Sequence, residues 1–305
     1  MSETTYLVRH HTAYQYENPA QQSHNLACLI PRTFPGQTVR EIRLEIHPKP
    51  NCRFNWLDVY GNAREFFELS VPHETLEVTL FARVNRTPPS AGACELTWEQ
   101  CVLPDGNAWD AAQSLGREFR FASPLLPLPD HAGFETDDLF TPGRPVLETL
   151  DAFMTRVHDS FKYDPEATTT FTPLNEVYEK KAGVCQDFAH AAIAELRRRG
   201  FAAGYVSGYL ETLPAPGREK LRGADATHAW YSVRIPGHGW VHFDPTNNMR
   251  VGARHIITAW GRDYGDVAPL KGVLLGGGAH EITIEVDVWS WPEQVPEDMR
   301  EIFAG

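Results

Sequence analysis

The sequence predicts an α+β chain, a small β-sandwich domain followed by a mixed core of helices and strands. Three observations carry this. Before residue 90 apolar residues recur at every second position, as in Leu76, Val78, Leu80, Ala82 and Val84, the period of a half-buried strand. Beyond residue 145 the spacing becomes helical, and after Gly200 it returns to that of strands. The chain divides accordingly into residues 1–90, a proline-rich connection and wrap over 91–144, a core over 145–265 and an extension over 266–305.

Ile42, Leu44 and Ile46 mark one strand, and Phe54 and Trp56 another. Tyr60-Gly61-Asn62 reads as a turn into a strand over Glu65–Leu69. His10, His11, His24, His47 and His73 read as surface histidines of strands and loops. Pro88-Pro89-Ser90 marks a connection, and Ser123–Pro129 is too apolar for a free linker, so it is expected as an ordered wrap. Val146, Leu147, Leu150, Phe153, Met154 and Val157 give one face of a helix ending at Phe161, and a short helix is expected over Leu174–Lys181. A further helix begins at Cys185 and ends at Arg197-Arg198-Arg199, with Gly200 just beyond it. Strands follow at 204–211, 229–235 and 239–243, the last two joined by the turn Pro236–Gly239, with a further strand at 255–260. Pro214–Gly223 reads as a surface loop. Residues 281–289 alternate cleanly through Ile282, Ile284, Val286 and Val288, a strand free to pair with either domain.

The composition is that of a globular chain: 305 residues, 42% hydrophobic and 22% charged. A net charge of -12 argues against a nucleic-acid partner. No apolar run suits a signal peptide or a membrane span. The cysteines (Cys28, Cys52, Cys94, Cys101 and Cys185) are odd in number and form no Cys-x-x-Cys pair. That argues against a disulfide scaffold or a thiolate zinc site and fits a reducing cytoplasm.

Three islands carry residues suited to nucleophilic chemistry: Gly183-Val-Cys185-Gln, Asp225-Ala-Thr-His228-Ala-Trp230 and Trp240-Val-His-Phe-Asp244-Pro. A thiol at a helix start is favoured as thiolate by unpaired N–H groups and the helix dipole. A histidine can take its proton, and a carboxylate can hold the imidazole in the productive tautomer. If the two strands after 228 are antiparallel neighbours, His228 and Asp244 reach the same edge of a sheet. His190 points away from Cys185 on an ideal helix and reads as structural; His242 is a weaker base, and His238 sits in a turn.

The islands Gly183-Val-Cys-Gln-Asp-Phe-Ala-His190, Tyr205-Val-Ser-Gly-Tyr209, Asp225-Ala-Thr-His-Ala-Trp230 and Gly239-Trp-Val-His-Phe-Asp-Pro-Thr-Asn247 closely resemble the bacterial transglutaminase-like family. The resemblance implies a papain-like core with Cys185 as nucleophile, His228 as general base and then acid, and Asp244 as its orienter. It also implies an N-terminal β-rich domain. One departure stands out: where the family usually reads Gly-Ile-Pro-Ala-Arg-Tyr, this chain has Gly200-Phe-Ala-Ala-Gly204-Tyr205. Gln186, Tyr163 and Trp230 are candidate cleft or oxyanion neighbours. The chemistry requires no cofactor and no metal; its partner is a peptide or protein substrate, with a homo-oligomer left open. Water as acyl acceptor gives a cysteine protease or amidase, and an amine gives a transglutaminase. A binding or structural role with a retained triad is the remaining alternative.

Overall fold

A computed structural model describes residues 3–87, 92–102, 116–128, 130–131, 133–213, 220–223, 225–292 and 294–303. The expected connection at Pro88-Pro89-Ser90, Pro129 of the wrap and residues 214–219 of the surface loop lie outside the described residues.

Residues before 90 form β1 (Thr4–Ala27), β2 (Gln37–His47), β3 (Cys52–Leu57), β4 (Ala63–Leu69) and β5 (His73–Arg86). They join one antiparallel sheet in the order β2-β5-β1-β4-β3. The 24-residue β1 is its spine. Its first half pairs with β5, its second with β4, and the ladder shifts register between Gln15 and Ala20. Pro19 lies in that gap, where a residue without an N–H cannot continue a ladder. Both halves share one apolar cluster: Tyr6, Val8, Ile46 and Leu80 from one, Ala27, Phe67 and Leu69 from the other.

His10 and His73 are not at the surface as expected; both are buried. His10 occupies an inward position of β1, where its ring bonds the Tyr209 hydroxyl at 3.0 Å and Thr12 Oγ1 at 3.1 Å. Burial pushes its pKa down to about 3, so it serves as a neutral polar link.

The core begins with α1 (Val146–Ser160), whose buried Val146, Leu150, Phe153, Met154 and Val157 follow the expected spacing. The pair β6 (Lys162–Tyr163) and β7 (Ala182–Gly183) is parallel and encloses α2 (Leu174–Lys180) in sequence. Next comes α3 (Cys185–Arg198), whose Phe188, Ala189, Ala191, Ala192, Ile193 and Leu196 are all buried. Its end is set by Gly200, in the left-handed region at φ 90°. There the Phe201 N–H reaches back to the Leu196 carbonyl at 3.0 Å, as in a Schellman motif.

Behind α3 lies a five-stranded antiparallel sheet, β11 (Met249–Arg250), β10 (Gly239–Asp244), β9 (Thr227–Ile235), β8 (Ala203–Leu210) and β12 (His255–Gly261), in that spatial order. A short helix α4 (Tyr264–Val267) leads to β13 (Leu270–Gly276) and β14 (His280–Ser290), and α5 (Glu297–Arg300) lies near the end. Both late strands pair with β1, so the C-terminal extension completes a seven-stranded N-terminal sheet. The buried Arg197 guanidinium holds residues 121–123, donating to the Phe121 carbonyl (3.1 Å) and Ser123 Oγ (3.2 Å). Among the described residues no helix is long and apolar enough to cross a membrane.

β12 is the last strand of the core sheet, and side chains of the N-terminal sheet close its free edge. The Gln37 amide donates to the Ile257 carbonyl (2.7 Å) and accepts from the Ile257 N–H (2.9 Å). The Asn62 amide does the same for Trp260, at 2.9 and 3.0 Å. Each amide stands in for a residue of a neighbouring strand, which satisfies buried backbone groups and blocks edge pairing. Gln37→Leu should therefore cost about 1–3 kcal/mol by leaving a buried N–H without an acceptor. Asn62→Leu, which strips both backbone groups of Trp260, should cost more. Equilibrium urea unfolding of the full chain measures both.

Candidate active site

Cys185 is the first residue of α3, and the turn before it is shaped by Asp187. That carboxylate folds back to accept the Val184 N–H at 2.8 Å and the Thr168 hydroxyl at 2.7 Å. Burial raises the Asp187 pKa, against the pull of these donors. A β-carbon at position 183 would run into the Asp187 side chain, so the glycine before Val184-Cys185 is a steric requirement. The Gly-Val-Cys-Gln-Asp run is thus a helix-start device that presents the thiol at the N-terminal end of α3. The pairing of Tyr163 with Gly183 across β6 and β7 brings Tyr163 beside it.

The other two residues come from the hairpin β9–β10, whose register places Tyr231 opposite Phe243. One step further sets Asp244 opposite Trp230, and His228 is then its diagonal neighbour on the same face. His228 Nε2 lies 2.8 Å from Asp244 Oδ2. The remaining ring nitrogen is Nδ1, and Cys185 lines the same cleft as this imidazole. Burial alone would depress the His228 pKa; the hydrogen bonds to Asp244 and Cys185 and the charges on both outweigh it and raise it to about 10.

Asp244 has no exposed surface. Its Oδ2 also accepts from Asn247 Nδ2 at 2.7 Å and from His255 Nε2 at 3.1 Å, while Oδ1 accepts the Asn247 N–H at 3.2 Å. Burial works against its charge, yet the bonds from the two histidines and Asn247 and the His228 charge hold its pKa well below the usual carboxylate range. Gly208, opposite His228 on β8, makes room here: a β-carbon would lie 2.6 Å from the Trp230 ring and collide with the Ile256 carbonyl.

Cys185 and His228 open onto a cleft of about 330 Å³, lined also by Tyr163, Leu210, Thr212, Ala226, Thr227, Thr246 and Asn247. Tyr163 is 54% exposed there. Gln186 turns away, its amide donating to the Thr170 carbonyl at 2.9 Å. Trp230 is fully buried beneath His228, its indole N–H on His242 Nδ1 at 3.3 Å. His190 is buried at the back of α3, where its Nε2 accepts the Tyr264 N–H at 3.2 Å. The space that a side chain at Gly204 would occupy is bounded by the Phe119 ring, 3.1 Å from a β-carbon there.

Sequence reasoning missed Asn247, His255 and Asp187. For Asn247 the signal was present in the Asp244-Pro-Thr-Asn247 run, and for Asp187 in an acid three residues past the helix cap. His255 carries none, because only the sheet register brings it to Asp244. Donor atoms of His228, Asp244 and His255 lie within 4.8 Å of one another, a spacing a metal ion accepts. Both imidazoles aim at the same carboxylate oxygen, so the cluster is a closed hydrogen-bond network.

Two family models match the chain: the bacterial transglutaminase-like N-terminal region over residues 6–85 and the transglutaminase-like superfamily over residues 136–245. An uncharacterized protein of Mycobacterium tuberculosis is 38% identical over 294 residues, spanning 93% of this chain and 92% of its own length. One of Mycobacterium leprae is 30% identical over 298 residues, spanning 92% and 97%. Among solved structures, a Cytophaga hutchinsonii protein with a provisional assignment as a cysteine protease superposes with a TM-score of 0.74 at 18% identity, over 95% of this chain and 92% of that one. That likeness speaks to the fold. With its helix-borne cysteine, its sheet-borne histidine and aspartate and its β-rich N-terminal region, the chain belongs to the transglutaminase-like superfamily, in the bacterial form that carries this N-terminal region.

Proposed function

We propose that this protein is a cysteine hydrolase, a protease or amidase that cleaves peptide or carboxamide bonds through a thioester. The observation that carries the reading is His228, 2.8 Å from a fully buried Asp244 and in one cleft with Cys185. The Cys185 thiol passes its proton to His228, Sγ attacks the carbonyl carbon, and the carbonyl electron pair moves onto oxygen. The Cys185 N–H, in the first turn of α3 and without an intrahelical acceptor, is the natural donor to that oxyanion. Collapse expels the amine, which takes its proton from His228. Water, deprotonated by His228, then attacks the thioester, releasing the acid and restoring the thiol.

The cleft favours water as acceptor. Tyr163 beside the cysteine is more than half exposed, and among the described residues the cleft is open to water. Acyl transfer to an amine remains the competing outcome of the same thioester.

Iodoacetamide should label Cys185 at about neutral pH at least about tenfold faster than the exposed Cys52, and His228→Ala should remove that advantage. Mass spectrometry of the digested protein gives both rates. Equal rates at the two cysteines in the wild-type protein would overturn the nucleophile assignment. For the acceptor, ammonia release from a glutamine-containing peptide should proceed at the same rate with and without an added primary amine. Incorporation of the amine at the expense of glutamate would favour transfer.

The raised His228 pKa also has a stability consequence. An unfolded chain loses this proton at about pH 6.5, whereas the folded protein keeps it to about 10. The stabilisation is therefore complete below about pH 6.5 and is lost as pH rises through about 10. The thermal midpoint of wild type should exceed that of His228→Ala most at about pH 5–6, and the margin should shrink steadily on the alkaline side.

A further inference from the structure

We propose that His255 is a positioning residue of this site, and that the N-terminal sheet sets its place. The inference rests on the cysteine–histidine–aspartate reading above and adds a fourth member with its support.

His255 is fully buried at the start of β12, 3.1 Å from Asp244 Oδ2 through Nε2. Its other nitrogen, Nδ1, accepts the Gly252 N–H at 3.3 Å. A ring nitrogen that accepts carries no proton, so the proton of a neutral ring lies on Nε2 and His255 donates to the carboxylate. The groups facing it are Asp244 and His242 from β10, His228 from β9 and Arg86 from β5. Burial dominates and lowers its pKa, although the bond to Asp244 pulls the other way. His255 is thus a fixed neutral donor and, among the described residues, the one hydrogen-bond partner of Asp244 from outside the β9–β10 hairpin and the turn after β10.

Its position is held from the far side of the strand. The buried Arg86 Nε donates to the His255 carbonyl at 2.9 Å, and the same guanidinium donates to the Gly36 carbonyl at 2.9 Å. Two residues along, Gln37 clamps Ile257 by both backbone groups. A shift of β12 would withdraw the His255 ring from Asp244, leaving the carboxylate free to turn away from His228. The imidazole facing Cys185 would then lose its orientation, although no residue beside the thiol had been replaced.

The test compares His255→Phe, which keeps a ring but no donor, with His255→Gln, whose amide N–H₂ can reach the carboxylate. Iodoacetamide labelling of Cys185 in full-length protein should fall about tenfold in His255→Phe and recover to within about threefold of wild type in His255→Gln. Thermal midpoints measured alongside identify folded variants. Wild-type labelling in His255→Phe, with slow labelling in His228→Ala, would overturn the role of His255 and leave the triad reading intact. Equal loss in both His255 variants would make the residue mere packing and overturn it too. Fast labelling in His228→Ala would instead sink the triad reading itself. Should His255→Phe not fold, nitrogen-15 NMR of the wild-type imidazoles decides: the pattern of a neutral ring protonated on Nε2 at about neutral pH supports the role, and an imidazolium or the Nδ1 tautomer overturns it.

Discussion

The site depends on one carboxylate that has been taken entirely out of water. An unpaired charge in such a place is costly, and Asp244 is ionised only because His228, His255, and the side chain and backbone of Asn247 all donate to it. These donors come from β9, from β12 and from the turn after β10, so the carboxylate records the relative placement of three segments. If one segment moves, a buried oxygen loses a partner. The same requirement explains Gly208, which lets the Trp230 ring and β12 approach closely enough to complete the shell.

Two buried histidines and the half-buried His242 show what this carboxylate does. Burial lowers the pKa of His10 to about 3, of His190 to about 4 and of His242 to about 3. Their bonds are to a hydroxyl, a backbone N–H and an indole N–H, neutral groups that do not repay the cost of a charge. His228 is raised because it meets both a carboxylate and a thiol. His255 meets the same carboxylate, yet burial prevails and the ring stays low. Two histidines on one carboxylate therefore divide the work: one carries a proton that can move, the other a proton that does not.

The three residues of the site were legible because each sits in a compact island whose local geometry is short-range: a helix start, a strand start and a strand end. Gln186 was misleading for a helical reason. Its neighbour on the helix is rotated by about 100° from it, so adjacency to Cys185 did not aim it into the cleft. Trp230 does share a strand face with His228, but as a large apolar ring it fills the floor. The strand β1 was hidden because polar His10 and Thr12 occupy inward positions that apolar alternation would fill, and Pro19 interrupts the run. Residues 281–289 could be read as a strand, while their pairing could not: Tyr6 meets Ser290 from the opposite end of the chain, and nothing local encodes that register.

The pairing has a structural logic. A five-stranded sheet has two open edges, and β11, only two residues long, offers little to pair with at one of them. The other edge is β12, a seven-residue strand that carries His255. Closing it with another strand would extend the sheet across the place where the N-terminal sheet packs through Tyr209 and Ile256. Gln37 and Asn62 close it instead with side-chain amides, the Arg32 N–H joins Gln37 on the Ile257 carbonyl, and Arg86 holds the first residue by its carbonyl. Among the described residues, the N-terminal sheet therefore contributes no group to the cleft lining, and acts on the site only through this edge. Its β1 is in turn held by β13 and β14, which arrive from the end of the chain after β12 has been laid down. The elements that surround the core in sequence thus meet on one strand, and through β12 they fix the geometry around a carboxylate that they do not touch.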